Sequence, residues 1–135
     1  MNHRLGSPWR WVAAVLLLVT AGTHVPLIHE HLEEAPYVGA LFIALAVVGV
    51  GLAVLVVLWD TPLVWAASGL VTLLAAIAFL LSRTIGLPEI GDDVGNWTEP
   101  LGFPAVAAEV LTVVVALVVL QHRKLPGRRH HQSTP

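Results

Sequence analysis

The stretch from Thr20 to Pro36 concentrates the residue types that do chemistry. It holds His24, His29 and His31, three of the chain's seven histidines, and Glu30, Glu33 and Glu34, three of its nine acidic residues. At helical spacing, Thr20, His24, Leu27 and His31 lie along one stripe with Glu34 a turn beyond, and His29 and Glu33 form an i,i+4 pair on a neighbouring face. Two further ionisable residues interrupt or end apolar runs: Arg83 closes the third, and Glu109 lies inside the fourth. An ionisable side chain within a hydrophobic span normally faces a protein interior or a wet cavity, and by default it marks a functional site. His24, His31, Glu34 and Glu109 together offer two imidazoles and two carboxylates. That donor set suits zinc, iron or manganese, and copper(II) less selectively. Arg83 or an acid of the following loop (Asp92, Asp93 or Glu99, beside Trp97) would stand behind such a site and complete the pocket.

Other chemistries compete for the same residues. In a purely structural reading Arg83 pairs with Glu109 or Asp93, and His24 hydrogen-bonds a backbone carbonyl freed by Pro26. In a transport reading His24 and Glu109 form a titrating pair for proton-coupled movement of a small molecule. The chain has no cysteine, which excludes disulfides and thiolate metal sites. Haem is not expected, because bis-histidine ligation needs histidines on facing helices and only the first span carries one within the apolar run. Ser68 and Ser82 have no partner histidine on a nearby segment, so a hydrolase is unsupported. Nucleic-acid binding has only a short basic tail behind it.

The elements that must position these residues are membrane spans. Of the 135 residues 56% are hydrophobic and 12% charged, against about 25% charged in a soluble domain. Spanning the hydrocarbon core takes roughly 20 apolar residues, and four runs qualify. The first covers 11–28, behind Arg4, Trp9, Arg10 and Trp11, and its helix continues to about Glu34. Its rival reading is a cleaved signal peptide with a small-residue site near Ala21. Pro26 removes an intrahelical hydrogen bond and predicts a kink near Gly22. The second run is 36–59, with Gly39, Ala40, Ala44, Ala46, Gly49 and Ala53 for close helix approach. Asp60-Thr61-Pro62 is a tight turn in which Asp60 or Thr61 supplies the N-cap. The third run is 62–81, with Ser68, Thr72 and Ala75 on an inward face, and the fourth is 103–120, where Glu109, Thr112 and Ala116 share a face.

A long loop joins the third and fourth runs, rich in Gly and Pro, and loops of this length are mostly functional or disordered. Trp97 and the embedded Leu and Ile residues imply that it folds back onto the bundle. Asn96-Trp97-Thr98 formally matches a glycosylation acceptor. Arg4, Arg10, Arg123, Lys124, Arg128 and Arg129 all fall on one side of the four spans and Arg83 alone on the other. The positive-inside rule then puts both termini in the cytoplasm and the loop outside. At about 1.5 Å per residue, His24 and Glu109 both lie within roughly 10 Å of the outer boundary. His130-His131 belong to the composition of the tail, which is placed to touch anionic lipid.

Ser82-Arg83-Thr84-Ile85-Gly86-Leu87-Pro88, Asp92-Asp93-Val94-Gly95-Asn96-Trp97-Thr98-Glu99-Pro100-Leu101-Gly102 and His31-Leu32-Glu33-Glu34-Ala35-Pro36-Tyr37 resemble a family of small four-span membrane proteins of high-GC Gram-positive bacteria. The similarity spans nearly the whole chain. Membership implies no activity, since none is assigned to that family. The span plan is similar to DoxX-type proteins by architecture alone. The expectation is therefore an all-α transmembrane four-helix bundle over residues 1–122, with a long extracytoplasmic loop between helices three and four. A basic cytoplasmic tail follows over 123–135. The protein would sit in the plasma membrane, alone, as a homo-oligomer or within a larger complex, and would carry an outer-face polar pocket. That pocket would bind a divalent metal or a small ligand without enzymatic turnover. The alternatives are a structural or accessory subunit of a membrane assembly, or proton-coupled transport.

Overall fold

A computed structural model describes residues 3–124. Its regular structure is all helical, and no strand occurs among the described residues. The elements are α1 (Trp9–His24), a 3-10 turn (Val25–Leu27), α2 (Ile28–Glu34), α3 (Pro36–Trp59), α4 (Pro62–Thr84), a second 3-10 turn (Gly91–Asp93) and α5 (Gly102–Lys124). Four helical stretches are long and apolar enough to cross a membrane: Trp9–Glu34, Pro36–Trp59, Pro62–Thr84 and Gly102–Arg123. They make the chain a multi-pass membrane protein by length and composition. Their outer faces are covered with exposed Leu, Val and Ile, such as Val47, Leu63 and Leu70, which is consistent with contact to lipid rather than water.

The helix boundaries follow from proline chemistry. Pro36 and Pro62 each occupy the first turn of their helix, where the missing N–H is one that no intrahelical acceptor needs. Pro26 acts inside a helix, and the break falls at Val25–Leu27 rather than at Gly22, which stays within α1. The chain tightens into i→i+3 bonding around the proline and resumes as α2, so the first span is one rod with a short 3-10 joint. The third and fourth spans run slightly beyond the expected 81 and 120, to Thr84 and Lys124. Arg123 and Lys124, expected as the start of the tail, are therefore helical. The rest of the tail, His130-His131 included, lies outside the described residues.

Around the bundle α3 neighbours α1, α1 neighbours α5, and α5 neighbours α4; α3 and α4 meet least closely. The core is built from small and branched residues around one tryptophan: Ala13, Leu17, Leu52, Ala53, Val56, Ala116 and Val119 with Trp65. Close approach depends on glycine where it was expected. A methyl group on Gly49 would lie 3.3 Å from Ala21 Cβ and 3.4 Å from the Leu17 carbonyl oxygen, so α1 and α3 touch nearly backbone to backbone there. Ser68 and Thr72 are fully buried, as are Thr112 and Ala116 on the facing helix. Each of these hydroxyls donates back to its own helix, Ser68 to the Val64 carbonyl, Thr72 to that of Ser68 and Thr112 to that of Ala108. This leaves none of the three hydroxyls unpaired. Ala40 and Ala44, also expected at the close contacts, are exposed.

At the pole opposite the 85–101 segment, Thr61 holds the N-cap position, one of the two residues expected there, though its side chain makes no capping hydrogen bond. Asp60 is instead fully buried. It accepts hydrogen bonds from the Trp65 indole N–H at 2.7 Å and the Ser7 backbone N–H at 2.8 Å, with Arg10 at 3.9 Å. It pins the amino-terminal leader to the α3–α4 turn.

Candidate functional site: a roofed cavity at one pole

Residues 85–101 fold back over the bundle end. Ile90 is buried against Ala35 and Val38, with Leu87 and Phe42 packed on them, and the Tyr37 hydroxyl donates to the Pro88 carbonyl at 2.6 Å. Arg83 fastens the segment from below. It is almost completely buried, and its guanidinium binds Asp93 at 2.8 Å and also Glu99. The Gly95 N–H adds a bond to the Arg83 carbonyl at 2.8 Å; Gly95 itself has φ +80°, a conformation that glycine adopts without strain. Beneath this roof is a cavity of about 300 Å³, at the small end of the range for ligand pockets. Its walls are mostly apolar: Leu41, Leu45, Val71, Leu74, Ala75 and Ala78.

The polar end of the cavity is made by His24, His31, Arg83 and Glu109. His24 Nδ1 lies 2.7 Å from the Thr20 carbonyl and His31 Nδ1 lies 2.8 Å from the Leu27 carbonyl. A carbonyl only accepts, so Nδ1 carries the hydrogen in both rings and Nε2 is left free. His24 thus bonds the carbonyl four residues back and not the Gly22 carbonyl that Pro26 frees. Its Nε2 stands 3.8 Å from Glu109 Oε1, beyond a direct hydrogen bond. Glu109 is 1% exposed, and its Oε2 has no hydrogen-bond partner. Unpaired buried polar atoms of this kind are rare and call for an explanation.

Not every expected site residue joins. Among the described residues no three His, Asp or Glu side chains gather closely enough to hold a metal ion, so His24, His31, Glu34 and Glu109 do not form one ligand set. Two reasons are visible. His24 and His31 are two helical turns apart, about 10 Å along the axis, and the Phe42 ring packs against both, at 4.8 and 4.7 Å between centroids. Glu34 is exposed and lines no part of the cavity. Arg83 pairs with Asp93 and Glu99 and not with Glu109. Asp93 and Glu99 line the cavity, whereas Asp92 and Trp97 are exposed and do not, Trp97 resting instead edge-on to Phe79. His29 and Glu33 form the expected pair at 3.5 Å, fully in the open, where such pairs contribute little. Sequence reasoning missed Phe42 and Tyr37, which separate the histidines and hold the roof. Aromatic residues at the end of an apolar span ordinarily read as interface anchors. Comparison with family models, with curated proteins and with solved structures finds no match.

Proposed function

We propose that this protein binds a small membrane-borne molecule in the roofed cavity, its apolar body between α3 and α4 and its polar end at His24 and Glu109. The observation that carries this reading is the unpartnered, fully buried Glu109 Oε2 at the polar end of a mostly apolar cavity. Leu41 and Leu74 line the cavity and are also exposed on the bundle surface. The α3–α4 seam is therefore the natural entrance from the lipid. With the arginine and lysine distribution placing both termini in the cytoplasm, the cavity opens in the outer leaflet of a plasma membrane, roofed by an extracytoplasmic 85–101 segment. Nothing in this role requires turnover.

The test is solvent extraction and mass spectrometry of the purified protein, beside Ala75→Phe, which fills the cavity. A molecule retained at about one per chain in the wild type and absent from a folded Ala75→Phe supports the reading. Equal recovery from both refutes it.

One observation favours a second reading, a divalent cation held by His24 and Glu109. Both cavity histidines are anchored through Nδ1 on backbone carbonyls, the arrangement that orients metal-binding imidazoles. Elemental analysis of the wild type beside a His24→Ala/Glu109→Gln variant separates the two. Stoichiometric metal only in the wild type would replace the first reading by this one.

A further inference from the structure

The hydrogen-bonding valence left free in the cavity says which head group it accepts. The inference rests on the ligand-binding reading above and adds the chemical class. The hydroxyl donors that line the cavity are already used within the protein. Thr23 donates to the Thr20 carbonyl at 3.0 Å, Tyr37 to that of Pro88, and Ser82 to that of Phe79 at 2.7 Å. The terminal nitrogens of Arg83 are taken by Asp93, Glu99 and the Ser82 hydroxyl. Its Nε has no partner, but the guanidinium lies over the Phe79 ring, 4.8 Å from its centroid, where the ring face satisfies a cation.

What remains unfilled is lone pairs: Nε2 of His24, Nε2 of His31 and the oxygens of Glu109, of which His24 Nε2 and Glu109 face each other. The charge balance has the same sense. One guanidinium in the lining faces three carboxyl groups, those of Asp93, Glu99 and Glu109. Among the described residues no lysine or arginine pairs with Glu109.

We propose that the cavity takes an amphiphilic amine, a single alkyl chain ending in a primary ammonium group. Its nitrogen bridges His24 Nε2 and Glu109. The two acceptors are 3.8 Å apart, so one nitrogen fits about 2.9 Å from each. An ammonium has three donors, enough for Nε2, Oε1 and the orphaned Oε2. The chain then runs along Leu45, Leu74 and Ala78 toward the α3–α4 seam. A carboxylate head would meet acceptors and like charge, and a hydroxyl would satisfy one acceptor and leave the other bare.

The experiment is calorimetric titration of the full chain in nanodiscs, corrected against empty nanodiscs, with decylamine, decanol and decanoate. Wild type, Glu109→Gln and Ala75→Phe are compared. Decylamine should bind at least about tenfold more tightly than the other two, the worth of one charge-assisted hydrogen bond. That preference should vanish in Glu109→Gln, and all binding should vanish in Ala75→Phe. Equal affinity for the three probes in the wild type, or a preference for decanoate, overturns the amine assignment while leaving the cavity a binding site. No binding of any probe overturns both. The comparison within the wild type does not depend on either variant folding.

Discussion

Replacing Arg83 by Met should release the roof without unfolding the bundle. Methionine keeps an apolar stem of similar length and removes both ion pairs together with the guanidinium that lies over Phe79. Breaking a buried ion pair by removing one partner costs about 3–5 kcal/mol when the other is left buried. Here the side chains of Asp93 and Glu99 keep 25% and 24% of their surface exposed, so each can turn toward water. The loss should therefore fall to about 2–3 kcal/mol and be confined to residues 85–101, which the α2–α3 junction otherwise holds through Ile90 and Tyr37. Hydrogen exchange by mass spectrometry reads this directly. Peptides over 85–101 should exchange about 30- to 150-fold faster in Arg83→Met, at tenfold per 1.4 kcal/mol. Peptides from α1 and α5 should be unchanged. A triple variant, Arg83→Met/Asp93→Asn/Glu99→Gln, removes every charge of the network and should recover most of the protection, because no uncompensated carboxylate remains. Unchanged exchange of 85–101 in Arg83→Met, with the bundle intact, would show that the guanidinium does not hold the roof.

Four further outcomes follow from the same geometry, each measured as unfolding in mild detergent. Glu109→Leu should stabilise the protein by about 1–3 kcal/mol, since it removes a buried carboxyl group with an unpartnered oxygen; a loss of stability would mean that Glu109 is a packing residue. Asp60→Ala should cost about 3–5 kcal/mol, because the Trp65 indole and the Ser7 N–H lose their acceptor inside the protein, and an unmoved unfolding midpoint would count against the hub at that pole. Gly39→Ala should destabilise by about 1–3 kcal/mol, its new methyl lying 2.6 Å from Leu32 Cγ and 2.7 Å from the Leu32 nitrogen. Gly51→Ala meets nothing and should instead gain up to about 1 kcal/mol from helix propensity; the same sign in both would contradict the α2–α3 contact.

The sequence by itself determined the helices. A run of about 20 apolar residues can satisfy its backbone in lipid only by coiling, and Pro36 and Pro62 can start a helix but not continue one. For this reason the boundaries at Pro36, Trp59 and Pro62 are legible in the sequence. The inward faces of α4 and α5 were legible too, because Ser68, Thr72, Thr112 and Ala116 recur at helical spacing. His24 and Glu109 stood out because an ionisable group inside an apolar span needs a reason to be there.

Tertiary structure decided everything that depends on which side chains meet. A stripe of histidines two turns apart on one helix looks like a ligand set in sequence. Phe42, from another helix, packs against both rings and leaves only His24 facing Glu109. Arg83 had two kinds of partner within its sequence-level reach, and the fold-back of 85–101 gave it Asp93 and Glu99, leaving Glu109 alone. Asp60 read as one of two candidate caps because the turn around it is local, whereas its partners are Ser7, far away in sequence, and Trp65, one helical turn on. Periodicity reports a residue's place on its own helix. Pairing across helices is set by how the spans rotate and pack, and the small residues that permit the packing carry no record of which polar group they bring together.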